Sequence, residues 1–108
     1  MKALAKNVRI SPKKVAVVAS LVRGMDAQKA LDLLKFMPKK GADVLYKVVK
    51  SATANAMQND GQKMEDLKVN TVVVNKGIVY KRGHAISRGR YRKQLKRTSN
   101  LTIELGVK

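Results

Sequence analysis

Two stretches of alternating apolar and polar residues flank a segment, residues 81–97, that has no means of burying itself. It holds Lys81, Arg82, Arg88, Arg90, Arg92, Lys93, Lys96 and Arg97, and not one Asp or Glu. Before it, Leu67, Val69, Thr71 and Val73 alternate with Lys68, Asn70 and Val72, and Ile78, Val79 and Tyr80 extend the run past Asn75, Lys76 and Gly77. After it, Leu101, Ile103, Leu105 and Val107 alternate with Thr102, Glu104 and Gly106. A period of two marks a half-buried strand. Two such strands joined by a stretch that no core accepts predict an extended β-hairpin arm, with Gly83 and Gly89 suited to turns. At ~3.3 Å per residue, about eight residues per leg reach roughly 25–30 Å from the body. The tip of the free arm is expected to be mobile. Its Arg-rich end suits bidentate phosphate contacts and stacking on bases.

The remaining residues supply a body. Residues 2–10 are expected to form a first strand, with Val8 and Ile10 alternating with Asn7 and Arg9. Ser11 and Pro12 then start a helix, since Ser caps free backbone N–H groups and Pro suits the first helical position. This helix covers residues 12–23, with Val15, Val18 and Val22 on one face and Leu21 beside them. Gly24 closes it. A second, shorter helix, capped by Asp26, turns Ala27, Ala30, Leu31 and Leu34 inward and stops before Pro38. The third is the clearest. Ala42, Leu45, Val49, Ala52 and Ala56 form one continuous apolar stripe, and Lys40, Asp43, Lys47 and Lys50 lie around the other side. Its Ala-rich end lets another element approach closely, and Asn59, Asp60 and Gly61 stop it. With no internal repeat and no linker, residues 1–108 read as a single domain with 81–97 as its arm.

Charge then narrows the partner. Lys and Arg number 24 against 7 Asp and Glu, a net charge of +17, so the folded chain repels itself until a polyanion neutralises it. No acid precedes Asp26, and none lies between Asp66 and Glu104. A second basic cluster, Lys6, Arg9, Lys13 and Lys14, falls at the start of the first helix, where free N–H groups already attract anions. Tyr80 and Tyr91 alone do not make a platform for single strands, which favours shape and phosphate recognition of folded RNA.

Other functions find little support. His84 is the only His and has no carboxylate near it in sequence to orient it as a base. Glu65 and Asp66 are adjacent, but they follow a turn and read as a solvated loop. There is no Cys, which excludes disulfides and thiolate zinc sites, and no Gly-rich phosphate loop. No catalytic residue, metal or cofactor is expected. The longest apolar run, residues 15–22, is too short to cross a bilayer, and its basic flank resembles a secretory signal only weakly.

Two further partner classes stay open. One is DNA, held by a β-arm in the minor groove of a dimer. Ser11-Pro12-Lys13-Lys14 resembles a motif of basic chromatin proteins and suits that reading. The other is a membrane or acidic-protein surface, which calls for a Lys-rich helix face opposite bulky apolar residues. The Ala-rich seam of the third helix fits internal packing better.

One resemblance spans nearly the whole chain. Arg9-Ile10-Ser11-Pro12-Lys13-Lys14 and Val22-Arg23-Gly24 are similar to the opening of the ribosomal large-subunit protein family twenty-two. Ser51-Ala52, Ala54-Asn55-Ala56 and Asn59 match its long-helix signature. Lys81-Arg82, Gly89-Arg90 and Lys96-Arg97-Thr98-Ser99 match its basic hairpin. The resemblance implies an α+β fold, three helices packed on a three-stranded antiparallel sheet with a long protruding basic β-hairpin. It implies a structural constituent of the large ribosomal subunit that binds large-subunit ribosomal RNA, assists assembly and lines the nascent-peptide exit tunnel with its hairpin tip. Arg9, Lys13 and Lys14, with Asn55 and Asn59, would then contact RNA from the body. Lys81, Arg82, Arg90, Lys96, Arg97 and Ser99 would do so from the hairpin, together with Arg88, Arg92 and Lys93 of the same basic run. The tunnel tip would be His84, Ala85, Ile86, Ser87, Arg88, Gly89 and Arg90. Implied partners are ribosomal RNA, neighbouring ribosomal proteins and the nascent peptide, with no membrane and a monomer outside the ribosome. The implied place is a cytoplasmic ribosome, with an organellar one left open. The chain departs from the family's usual pattern at Ala85 and Ile86 of the tip, at the bulky Tyr91-Arg92-Lys93 and at Asn100.

Overall fold

Periodicity in the chain translates into two layers. In the computed structural model, which describes residues 1–108, three helices cover one face of a three-stranded antiparallel sheet. The elements are β1 (Lys2–Val8), α1 (Pro12–Val22), α2 (Ala27–Phe36), α3 (Lys40–Asn59), β2 (Leu67–Ala85) and β3 (Tyr91–Val107), with a single 3₁₀ turn at Met64–Asp66 before β2. Sheet order is β1-β3-β2. One cluster of buried apolar residues joins the layers, with Val15, Leu34, Leu45, Val49, Leu67, Val69, Leu101 and Ile103 all closed to solvent. The opposite sheet face is wet, as exposed Leu4, Val73 and Glu104 show.

Each helix buries the stripe expected of it, with one correction. Leu21 is 54% exposed, because it sits about 100° around α1 from the buried line of Val15, Val18, Ala19 and Val22. Neither expected side-chain cap forms. Ser11 receives the first N–H groups of α1 on its backbone carbonyl, from Lys14 at 3.1 Å and Val15 at 3.2 Å. The Asp26 carboxylate is drawn instead to the Nζ of Lys108 at 3.1 Å and of Lys29 at 4.0 Å. Gly24 takes the left-handed conformation as expected, φ 77. The close approach foreseen on α3 is real: Ala52 and Ala56 are buried, and β1 packs against this helix.

The strands are less regular than their alternation suggests. Asn70 is an extra residue opposite β3, a bulge that shifts the inward positions from Leu67 and Val69 to Val72 and Val74. Thr71 is therefore not an inward residue. A second bulge falls at Gly77 and Ile78, so residues 75–77 do not turn the chain. A Cβ on Gly77 would stand 2.5 Å from Thr98 Oγ1, and that hydroxyl, fully buried, donates to the Ile78 carbonyl at 2.6 Å. The first strand ends at Val8, not Ile10. The chain kinks at Asn7, φ 56, whose N–H donates to Asn100 Oδ1 at 3.0 Å.

Beyond this root the hairpin runs on as a regular ladder from Val79 opposite Arg97 to Ala85 opposite Tyr91. Gly83 lies within a strand facing Lys93, not in a turn, and Tyr91 Cδ1 lies 3.5 Å from where its Cβ would be. The turn is made at Arg88 and Gly89, φ 62 and 69, and is closed by the Ile86 N–H donating to the Arg90 carbonyl at 2.8 Å. The last inward contact on β2 is Val74, eleven residues before Ala85, so the arm is roughly 35 Å long. It starts earlier than residue 81, and it gives the molecule dimensions of 62 × 24 × 16 Å.

Candidate nucleic-acid interface

The two basic clusters, far apart in sequence, meet at the root of the arm. Ser99 Oγ donates to the Ile10 carbonyl at 2.6 Å, and Arg9 Nη1 donates to the Arg97 carbonyl at 2.7 Å. These bonds tie the β1–α1 loop to β3. From the other side, Lys40 Nζ donates to the Arg9 carbonyl at 3.3 Å, which brings in the start of α3. Gly41 packs the start of α3 against α1, where even an added Cβ would stand in ordinary contact with Val18 Cγ2 and Val15 Cα, at 3.5 and 3.6 Å. The result is an open groove of about 870 Å³ lined by Arg9, Lys14, Lys39, Lys40 and Arg97 around Ile10, Ser11, Val17, Gly41 and Leu95. A smaller groove of about 300 Å³ beside it is lined by Ser11, Pro12, Lys13, Lys76 and Arg97.

No carboxylate lines either groove. The three ion pairs of the molecule, Met1 with Asp60, Lys29 with Asp26 and Lys108 with Asp26, involve no groove or arm cation. The starts of α1 and α3 add unsatisfied N–H groups to the same region. An anion entering here meets unpaired cations and helix dipoles of one sign. The family model for ribosomal protein L22p/L17e matches residues 3–106, body and arm together. The chain belongs to this family.

As an L22p/L17e protein, it is a non-enzymatic constituent of the large ribosomal subunit that binds ribosomal RNA and lines the peptide exit tunnel. The basic residues expected to bind RNA fall into groups on that scaffold. Arg9, Lys13, Lys14 and Arg97 converge on the two grooves. Along the arm, cross-strand partners share a face. Tyr80, Arg82, His84, Arg92, Gln94 and Lys96 lie on one face, and Lys81, Lys93, Leu95, Arg97 and Tyr91 on the other. Cations therefore line both faces, and Arg82 stacks over Tyr80 at 5.4 Å. Arg88 and Arg90 flank Gly89 at the closing turn. All of the tip positions from His84 to Arg90 are exposed.

Three expected contacts lie outside the grooves. Ser99 is fully buried with its hydroxyl spent on Ile10, so it has no surface to offer RNA. Asn55 Nδ2 donates to the Lys2 carbonyl at 3.1 Å and holds β1 against α3. Asn55 and Asn59 lie roughly 22 and 28 Å along α3 from Lys40, well away from the grooves. Lys6 is exposed on β1 and lines neither groove. Conversely, Lys39, Lys40 and Lys76 are groove residues that sequence reasoning missed. Lys39 and Lys40 repeat, after Pro38, the helix-start arrangement of Lys13 and Lys14, and that was the available signal. Lys76 had none, because the bulge at Asn70 turns it, like Val72 and Val74, to the face that Ser99 and Arg97 share.

Proposed function

We propose that the arm and the two root grooves form one continuous phosphate-binding surface for large-subunit ribosomal RNA. Arg9, Lys13, Lys14, Lys39, Lys40, Lys76 and Arg97 grip the RNA at the root. Lys81, Arg82, Arg88, Arg90, Arg92, Lys93 and Lys96 follow it along the arm. The observation that carries this reading is the convergence of three separate basic stretches at one acid-free junction. With cations on both faces, the arm suits insertion between RNA segments. Neutralising them lets the protein draw RNA domains together, which is how it would assist assembly. The chain acts as a monomer before assembly, in a cytoplasmic ribosome. Neighbouring ribosomal proteins contact the body, and the nascent peptide passes the tip at His84, Ala85, Ile86 and Ser87.

Salt dependence is the test. With six to ten phosphates neutralised, affinity for large-subunit RNA falls by roughly 10³ to 10⁵ between 50 and 200 mM salt. Changing Lys13, Lys14, Lys39 and Lys76 to Gln lowers the slope of log affinity against log salt by about three to four. The same change at Lys29, Lys47, Lys50 and Lys108 leaves the slope nearly as it was. Equal slopes for the two variants, or equal competition by duplex DNA, would overturn the reading.

A further inference from the structure

The last residue of α2 is the only Phe in the chain, and it faces away from the core. At 100° per residue, Phe36 stands on the opposite side of α2 from the buried line of Ala27, Ala30, Leu31 and Leu34. It is 80% exposed, the highest value of any large apolar side chain in the molecule. Its surroundings are cationic. Lys35 Nζ lies over the ring at 5.7 Å, and Lys39, three residues on, lines the larger root groove. Exposed Leu33 lies one turn back. The carboxylate of Asp32, one turn back on α2, accepts a bond from Gln28 Nε2 at 3.2 Å.

We propose that Phe36 is a stacking site for a single unpaired base of the ribosomal RNA, with Lys35 and Lys39 holding the phosphates on either side of it. This rests on the phosphate-binding surface described above and extends it across α2. Every base has an apolar face that an aromatic ring can cover, and unstacked bases in bulges and loops are the parts of folded RNA that proteins reach. An apolar protein pocket would take the ring as well. It would also have to accept the lysines beside it, whereas a nucleotide satisfies ring and cations together.

The chain has no Trp, so Phe36→Trp places a single indole at the site. The full-length variant is titrated with protein-free large-subunit RNA. Indole emission is quenched as the complex forms, and affinity stays near that of the parent chain. Phe36→Leu, which keeps an apolar side chain but no ring, binds roughly five- to a hundredfold more weakly. The proposal fails if emission is unchanged while Phe36→Leu binds as well as the parent. It fails also if emission responds only in the assembled subunit, which would assign the ring to a protein neighbour. Absence of binding by the parent chain in the same titration would overturn the wider functional reading instead.

Discussion

Body and arm are built from the same two strands, yet they solve opposite problems. From Leu67 to Val74, and from Leu101 to Leu105, alternate side chains enter a core shared with three helices. Past the bulge at Gly77 and Ile78 the ladder resumes at Val79, but both faces now carry Lys, Arg and Tyr in water. All seven carboxylates lie on the body, and none on the arm. Burial therefore holds the body, and the arm is held only by its own ladder and by the place where it leaves the body. The root, where Thr98, Ser99 and Asn100 meet Gly77, Ile10 and Asn7, is where one regime gives way to the other. Stability should concentrate in the core, and RNA affinity at the root and along the arm.

The largest effect should come from the body alone. Leu45 is fully buried in the middle of α3. Leu45→Ala leaves a cavity and is expected to cost roughly 2–5 kcal/mol. For a domain of this size that lowers Tm by roughly 10–25 °C. RNA affinity of the fraction that stays folded, measured well below Tm, should be unchanged. A weakened complex with an intact fold would show that the core also tunes the binding surface.

At the root the effect is smaller and tests the boundary itself. Ser99→Ala strips the buried Ile10 carbonyl of its donor, at an expected cost of about 1–3 kcal/mol. Urea unfolding measures this, and the RNA salt slope should not move. Weaker RNA binding at fixed salt with unchanged stability would mean that Ser99 reaches RNA after all, against its burial.

The same division explains what could be read from the chain. Helices whose stripes had period 3.6 were legible, as in α3, because burial of a stripe is a local consequence of sequence. The arm was legible for the inverse reason: no core could take residues 81–97. Bulges were not. Asn70 and Gly77 look like ordinary positions in an alternating run, and only pairing with β3 reveals the extra residue. The bulge at Asn70 reverses the faces beyond it, so Thr71 was misplaced and Lys76 overlooked. Gly83 was misread because glycine marks both turns and strand positions covered by a neighbour, here Tyr91. Among the residues proposed to bind RNA, the basic clusters of the arm and of the start of α1 were visible as unpaired charge. Ser99 and Asn55 came from likeness to a family motif, and a motif does not separate residues free at the surface from residues that hold the shape.

The smallest expected effect is the sharpest test of the comparison. Arg82 and Gln94 are paired across the arm, and Asn-Gly can replace residues 83–93 between them as a two-residue turn. The excised residues bury nothing in the core and make no ion pair with the body. Their ladder bonds are exchanged for bonds to water at little net gain or loss. The shortened chain should therefore unfold in one cooperative transition within about 0.5 kcal/mol of the parent. It loses Arg88, Arg90, Arg92 and Lys93, so its RNA salt slope should fall by up to about 3.6 if each neutralises one phosphate. A large loss of stability would mean that the arm supports the body. An unchanged slope would mean that the root alone carries the RNA, and that the distal arm reaches the tunnel without gripping the phosphates it passes.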